Sequence, residues 1–110
     1  MNKELIKEVL KFRDERNWKQ YHNAKDLAIS LNLEASELLE NFQWTSTEEA
    51  VVKNKENISD ELADVLMYCI LFADAVDVDI ENAIKNKLKK NKEKYPVEKA
   101  YGKKDKYTEL

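Results

Sequence analysis

From Lys3 to Arg16 the apolar residues recur as Leu5, Ile6, Val9, Leu10 and Phe12, the i, i+3, i+4, i+7 spacing of a helix with one apolar face. The spacing predicts a first helix over 3–16. The period is lost from Asn17 to Lys25, where Trp18, Tyr21, His22 and Asn23 gather, so this stretch reads as an ordered loop carrying aromatic side chains. Asp26 is a cap candidate for a second helix running to about Phe42. A further helix is expected from Asn57 or Ser59 to Val76, with Ser59 as cap and Asp60 and Glu61 in its first turn. Between these two, Gln43 to Glu56 is polar, and Thr45 or Thr47 followed by Glu48 and Glu49 predicts one short helix. Asp79 caps the last main helix, which stops at Tyr95 and Pro96 after Lys94. Val97 to Leu110 keeps no period and reads as an extended basic tail anchored by Tyr101, Tyr107 and Leu110. The expected architecture is all-α, an up-and-down bundle of four main helices in a single domain over 1–110.

Composition narrows this picture. With one Gly (Gly102) and one Pro (Pro96) in 110 residues, the chain lacks the turn residues that a strand-rich fold needs at each reversal. A net charge of -3 argues against a nucleic-acid partner. The longest apolar run, Val65 to Ala73, is far shorter than the roughly 20 residues that span a bilayer. Met1 is followed by Lys3, Glu4 and Lys7 rather than an apolar signal core, so a soluble cytoplasmic protein with no membrane partner is expected. The single Cys69 has no internal disulfide partner and fits a buried structural thiol.

The carboxylates of the second and third main helices change the picture most. On a wheel of about 100° per residue, Leu27, Leu31 and Leu38 share one stripe, and Glu34 falls on it with them. Glu37 lies at the edge of the stripe and Glu40 is turned outward. The helix that follows is apolar nearly all round, from Leu62 to Phe72, and should be the most buried of the bundle. Its acids Glu61 and Asp64 are three residues apart, with Tyr68 four further on. One Glu-x-x-Glu is explained by a solvated face. Two acid pairs on two apolar helices would repel and lose hydration inside a marginally stable domain, so a cation is needed. Mg²⁺, a hard ion that binds a few carboxylates together with substrate phosphates, suits such a set, and Mn²⁺ is a possible substitute.

The run Glu34-Ala-Ser-Glu37-Leu-Leu-Glu40-Asn-Phe-Gln-Trp44 followed by Asp60-Glu61-Leu-Ala-Asp64-Val-Leu-Met-Tyr68 resembles the MazG-like nucleotide pyrophosphohydrolases, closest to their single-domain dCTP pyrophosphatase branch. The stretch from Phe12 through Trp18, Tyr21 and His22 to Asp26, Lys87-x-x-x-Asn91 ahead of Tyr95-Pro96, and the tail from Lys99 to Tyr107 extend the likeness over nearly the whole chain. The resemblance implies Mg²⁺-dependent hydrolysis of an NTP or dNTP, such as dCTP or a modified pyrimidine nucleotide, to the monophosphate and pyrophosphate. It also implies metal ligation by Glu34, Glu37, Glu61 and Asp64, with Glu34 or Glu37 as the catalytic base. Lys87 and Asn91 would contact phosphate, and Trp18, Trp44 and Tyr68 would line the nucleoside pocket with His22 nearby. A homodimer or homotetramer is implied as well. One departure stands out: the broader family motif begins with a second glutamate where this chain has Leu33.

Two other readings compete. A related helical phosphohydrolase would act on dUTP or phosphoribosyl-ATP. A non-catalytic helical oligomer that binds partner proteins through an amphipathic groove would keep these carboxylates solvated.

Overall fold

A computed structural model describes residues 1–110, and every regular element in it is helical. The order is α1 (Lys3–Glu15), a 3-10 turn (Trp18–Tyr21), α2 (Ala24–Glu40), α3 (Thr47–Lys53), α4 (Lys55–Ala75), α5 (Ile80–Lys94), α6 (Val97–Ala100) and a final 3-10 turn (Tyr107–Glu109). Four long helices and the short α3 match the expected bundle; α6 is a single added turn. The tail is therefore extended only in part. Lys99 and Ala100 both donate backbone N–H groups to the Pro96 carbonyl, because Pro96 supplies a pre-set backbone angle from which a turn can start. No helix is long and apolar enough to cross a membrane.

Local capping corrects three boundaries. Asn23 rather than Asp26 caps α2: its Oδ1 accepts the Asp26 N–H at 2.9 Å and its Nδ2 donates to Asp26 Oδ2 at 2.8 Å. Asparagine is among the best caps, and Asp26 then sits at the third helical position, facing the positive end of the helix. Ser46, not Thr45 or Thr47, caps α3 by accepting the Glu49 N–H at 3.2 Å, while the Thr45 hydroxyl donates to Glu49 Oε2 at 3.2 Å. The helix expected from Asn57 or Ser59 begins at Lys55, and Ser59 lies inside it. Asp79 caps α5 as expected, accepting from the Asn82 N–H at 3.0 Å.

The chain divides into two compact units, Met1–Val78 and Asp79–Leu110. In the first, α2 and α4 form the main packed pair, with α1 and α3 also against α4. Leu27 of α2, Ala50 of α3, and Ile70 and Ala73 of α4 are its fully buried apolar residues. α4, expected to be the most buried helix, supplies two of these four residues, while its Leu62, Leu66 and Met67 remain exposed. In the second unit, the Tyr107 ring meets Tyr95 edge to face at 6.1 Å between centroids, and the Lys94 ammonium lies 4.8 Å above Tyr107. Cys69 is half-buried, and loss of water around it raises its thiol pKa.

Arg13 ties α1 to α4. Its guanidinium, only 5% exposed, donates to Asp74 Oδ2 at 2.7 Å and to Asp14 Oδ1 at 2.8 Å. Burial works against the charge, but the hydrogen bonds to Asp14 and Asp74 outweigh it and raise the Arg13 pKa. Asp74 is itself one-third exposed, so the bond is discounted for solvent screening. Asp74→Ala should destabilise the protein by about 1–2 kcal/mol, read as a lower urea midpoint at unchanged slope. A midpoint equal to that of the parent would show that Asp14 alone satisfies Arg13.

Candidate metal centre

Three of the four predicted ligands converge. Carboxylate oxygens of Glu34 on α2 and of Glu61 and Asp64 on α4 all lie within 4.8 Å of one another, each on a half-buried side chain. Glu37 is more exposed, and its carboxyl lies against both Glu34 and Glu61. Glu34 Oε2 and Glu61 Oε2 are shut off from solvent and receive no hydrogen-bond donor. Between such oxygens only a shared proton or a cation makes the contact attractive.

The electrostatics agree with the geometry. Loss of hydration raises the Glu34 pKa first, followed by the contact with Glu37 and the charges of Glu37, Asp64 and Glu61. Glu61 is raised for the same reasons, with Asp60 adding to them. An all-oxygen set with two unsatisfied acceptors fits a hard divalent cation.

The remaining predicted residues occupy separate places. Tyr68 is half-buried on α4, one turn beyond Asp64. Trp18 packs edge to face on Phe12 at 5.6 Å between centroids, and the Arg16 guanidinium covers the Phe12 ring at 3.8 Å. The loop expected to carry these aromatics is coiled into a 3-10 turn, which Asn17 enters with φ of 54°. His22 ends that turn with Nδ1 buried and unpartnered; burial, then the Arg13 charge, lowers its pKa and keeps the imidazole neutral. Trp44 is 95% exposed, with φ of 61°. A bulky residue in this left-handed region is rare, and the turn that imposes it holds the indole off the end of α2. Lys87 and Asn91 lie four residues apart on one side of α5, within the second unit. Glu40 is exposed, as the wheel predicts, and with Ser36, Leu39, Phe42 and Gln43 it lines a depression of about 400 Å³ that includes none of the clustered acids.

The sequence reading passed over a set of amides beside the cluster. Asn41, 7% exposed, accepts at Oδ1 from Asn57 Nδ2 at 2.9 Å, and its backbone carbonyl accepts from Asn54 Nδ2 at 3.0 Å. The signal lay in the spacing: Asn41 follows Glu34 by seven residues and Asn57 precedes Asp64 by seven, which puts each on the face of its own acids. Because α4 begins at Lys55, Asn57 lies in its first turn rather than at its terminus.

Known proteins resemble this arrangement over most of the chain. The family model of the MazG-like family matches residues 29–110. The dCTP pyrophosphatase 1 proteins of Rattus norvegicus and Homo sapiens are 36% and 35% identical over 104 residues, covering 90% of this chain and 61% of theirs. The chain thus spans about three-fifths of the length of these relatives. The crystal structure of a pyrophosphatase from Archaeoglobus fulgidus superposes with a TM-score of 0.78 at 41% identity, over 84% of this chain and 90% of that one. The helical order, the two acid pairs and this breadth of likeness lead to one conclusion: the chain belongs to the MazG-like family.

Proposed function

We propose that residues 1–110 act as one pyrophosphohydrolase domain that cleaves a nucleoside triphosphate, of the pyrimidine deoxynucleotide class such as dCTP or a modified form, to the monophosphate and pyrophosphate with Mg²⁺. The observation that carries the reading is the pair of solvent-excluded, donorless oxygens on Glu34 and Glu61. The name of the dCTP pyrophosphatase relatives supports the substrate class.

Glu34, Glu61 and Asp64 would hold the metal, with Glu37 completing the set from its more exposed position. Mg²⁺ held by these carboxylates would neutralise phosphate charge and lend Lewis acidity, and Mn²⁺ could take its place. Glu37 or Glu34 takes a proton from the water that attacks the α phosphorus, and the bond to the bridging oxygen breaks so that pyrophosphate leaves. Asp79–Leu110 carries ten lysines against six acidic residues, which favours Lys87 and Asn91 as contacts for phosphate oxygens. Trp18, Trp44 and Tyr68 offer flat faces for the base, with His22 nearby.

The chain is also proposed to work as a homodimer or homotetramer. Leu33 and Leu39 of α2 are 57% and 69% exposed, and Leu62, Leu66 and Met67 of α4 are exposed too, apolar side chains that association would remove from water. A second copy of the chain covers such surface without a new partner. Light scattering should report a mass of two or four chains, and Leu33→Lys with Leu66→Lys should lower it; a monomeric parent would remove this part of the proposal.

Pyrophosphate and the monophosphate are expected as first products from a panel of nucleotides that includes dCTP, dUTP and phosphoribosyl-ATP. Glu34→Gln and Asp64→Asn should each cut kcat by more than about 100-fold while the helical circular-dichroism signal is kept. Orthophosphate as first product, or full activity in both variants, would overturn the assignment.

Metal-free stability should follow pH with a definite sign. Because Glu34 and Glu61 hold protons to higher pH in the folded protein than when unfolded, their contribution is complete below the ordinary glutamate pKa of about 4.3 and fades as pH rises through the elevated values. Across that rise the metal-free parent should lose Tm relative to Glu34→Gln, and saturating Mg²⁺ should restore it. Parallel Tm curves for parent and variant with no metal would show that the carboxylates do not interact.

A further inference from the structure

The acids of α2 and α4 face each other in an antiparallel register that apolar packing alone specifies weakly. Asn41 near the end of α2 meets Asn57 near the start of α4, Glu37 lies against Glu61 one turn along, and Glu34 reaches Asp64 beyond it. Asn41 is four residues after Glu37, and Asn57 four before Glu61, so the amide contact and the acid contacts are successive rungs of one ladder. The acid rungs repel when charged. Leucine contacts are non-directional and permit sliding. The amide rung is directional: Asn57 Nδ2 donates to Asn41 Oδ1, the Asn41 carbonyl takes Asn54 Nδ2, and Asn41 Nδ2 returns to the Leu38 carbonyl at 3.2 Å. A one-residue slip would leave the buried Asn41 oxygen without its donor, a penalty that apolar side chains do not impose.

We infer that Asn41 and Asn57 are positioning residues of the metal centre, an amide lock that sets the α2–α4 register and so keeps Glu34 and Glu37 opposite Glu61 and Asp64 before any cation arrives. A buried asparagine that specifies the register of a coiled coil is the physical precedent. The inference rests on the metal-site reading and adds to it two residues that contact neither substrate nor metal. Because their geometry acts on the acids through the helices, their loss should show in metal affinity more than in stability.

The test compares the parent, Asn57→Leu, and Asn41→Leu with Asn57→Leu, each as the full chain. The single variant orphans the Asn41 oxygen and should melt lower than the parent. The double variant removes donor and acceptor together and should melt within about 4 °C of the parent. Its affinity for Mn²⁺ alone, measured by calorimetry and by electron paramagnetic resonance of the free ion, should nevertheless fall at least about tenfold. In parallel, spin labels at Lys25→Cys and Lys55→Cys on a Cys69→Ser background report the α2–α4 register in metal-free protein. One narrow distance is expected in the parent, and a displaced or broadened one in the double variant. A double variant with the Mn²⁺ affinity and label distance of the parent would overturn the inference. If the parent itself takes up no Mn²⁺, the metal reading fails, and the label distances alone decide whether the amides set the register.

Discussion

Like-charge repulsion between α2 and α4 is the constraint on which the rest of this structure turns. Glu34, Glu61 and Asp64 bring carboxylate oxygens within 4.8 Å of one another, and two of the buried oxygens have no donor. Charged, half-buried and unpartnered, such groups oppose the packing of the two helices that carry them. The fold tolerates the arrangement because α2 and α4 are also its most closely associated pair. Loss of hydration first, and then the neighbouring carboxylates, raise the Glu34 and Glu61 pKa values, so that protons relieve part of the repulsion. A divalent cation held by these carboxylates would offset the repulsion and leave the acids ionised, which ties the proposed metal binding to stability through the same residues.

Other contacts hold the frame in which this conflict sits. Arg13, sealed from solvent between Asp14 and Asp74, anchors the end of α1 to the far end of α4. The Asn41, Asn54 and Asn57 amides close the opposite end of the α2–α4 pair. α4 is thereby held by polar, directional bonds at both ends, to α1 at one and to the end of α2 at the other, with its acids between them. Buried apolar residues are few, and two of the four are alanines. In a chain with so modest a core, one or two kcal/mol in such contacts is a sizeable share of the total. The exposed leucines of α2 and α4 point to association as the means by which the remaining apolar surface leaves water.

Of the aromatic residues that resemblance assigns to the nucleoside, Tyr68 stands on α4, whereas Trp18 and Trp44 are presented by turns. Asn17 and Trp44 both take left-handed backbone angles. The first is ordinary for asparagine, whereas the second is unusual for tryptophan and leaves its indole almost fully in water. Trp18 is steadied by Phe12, and Phe12 by Arg16. His22 is held neutral by burial beside Arg13, so the contact that stabilises the frame also conditions a candidate substrate group.

Helical class, the number of long helices, the Asp79 cap and the shared helix faces of Glu61 with Asp64 and of Glu34 with its leucines were legible in the amino-acid sequence, because periodicity and capping chemistry act over three to seven residues. Glu34 was conspicuous for the same reason, as a charge on a leucine stripe. Helix starts were read less well: Asp26 and Ser59 are good caps in isolation, but Asn23 and the earlier turn at Asn54 and Lys55 won, since a cap competes with every neighbour and with packing partners far along the chain. Tertiary structure alone decided that Glu34 meets Asp64, that Arg13 bonds Asp74 across 61 positions, and that α4 stays half open to solvent. These are distances between segments that no local pattern encodes. They follow from how two helices settle against each other once buried amides must find donors and buried acids must find a positive charge.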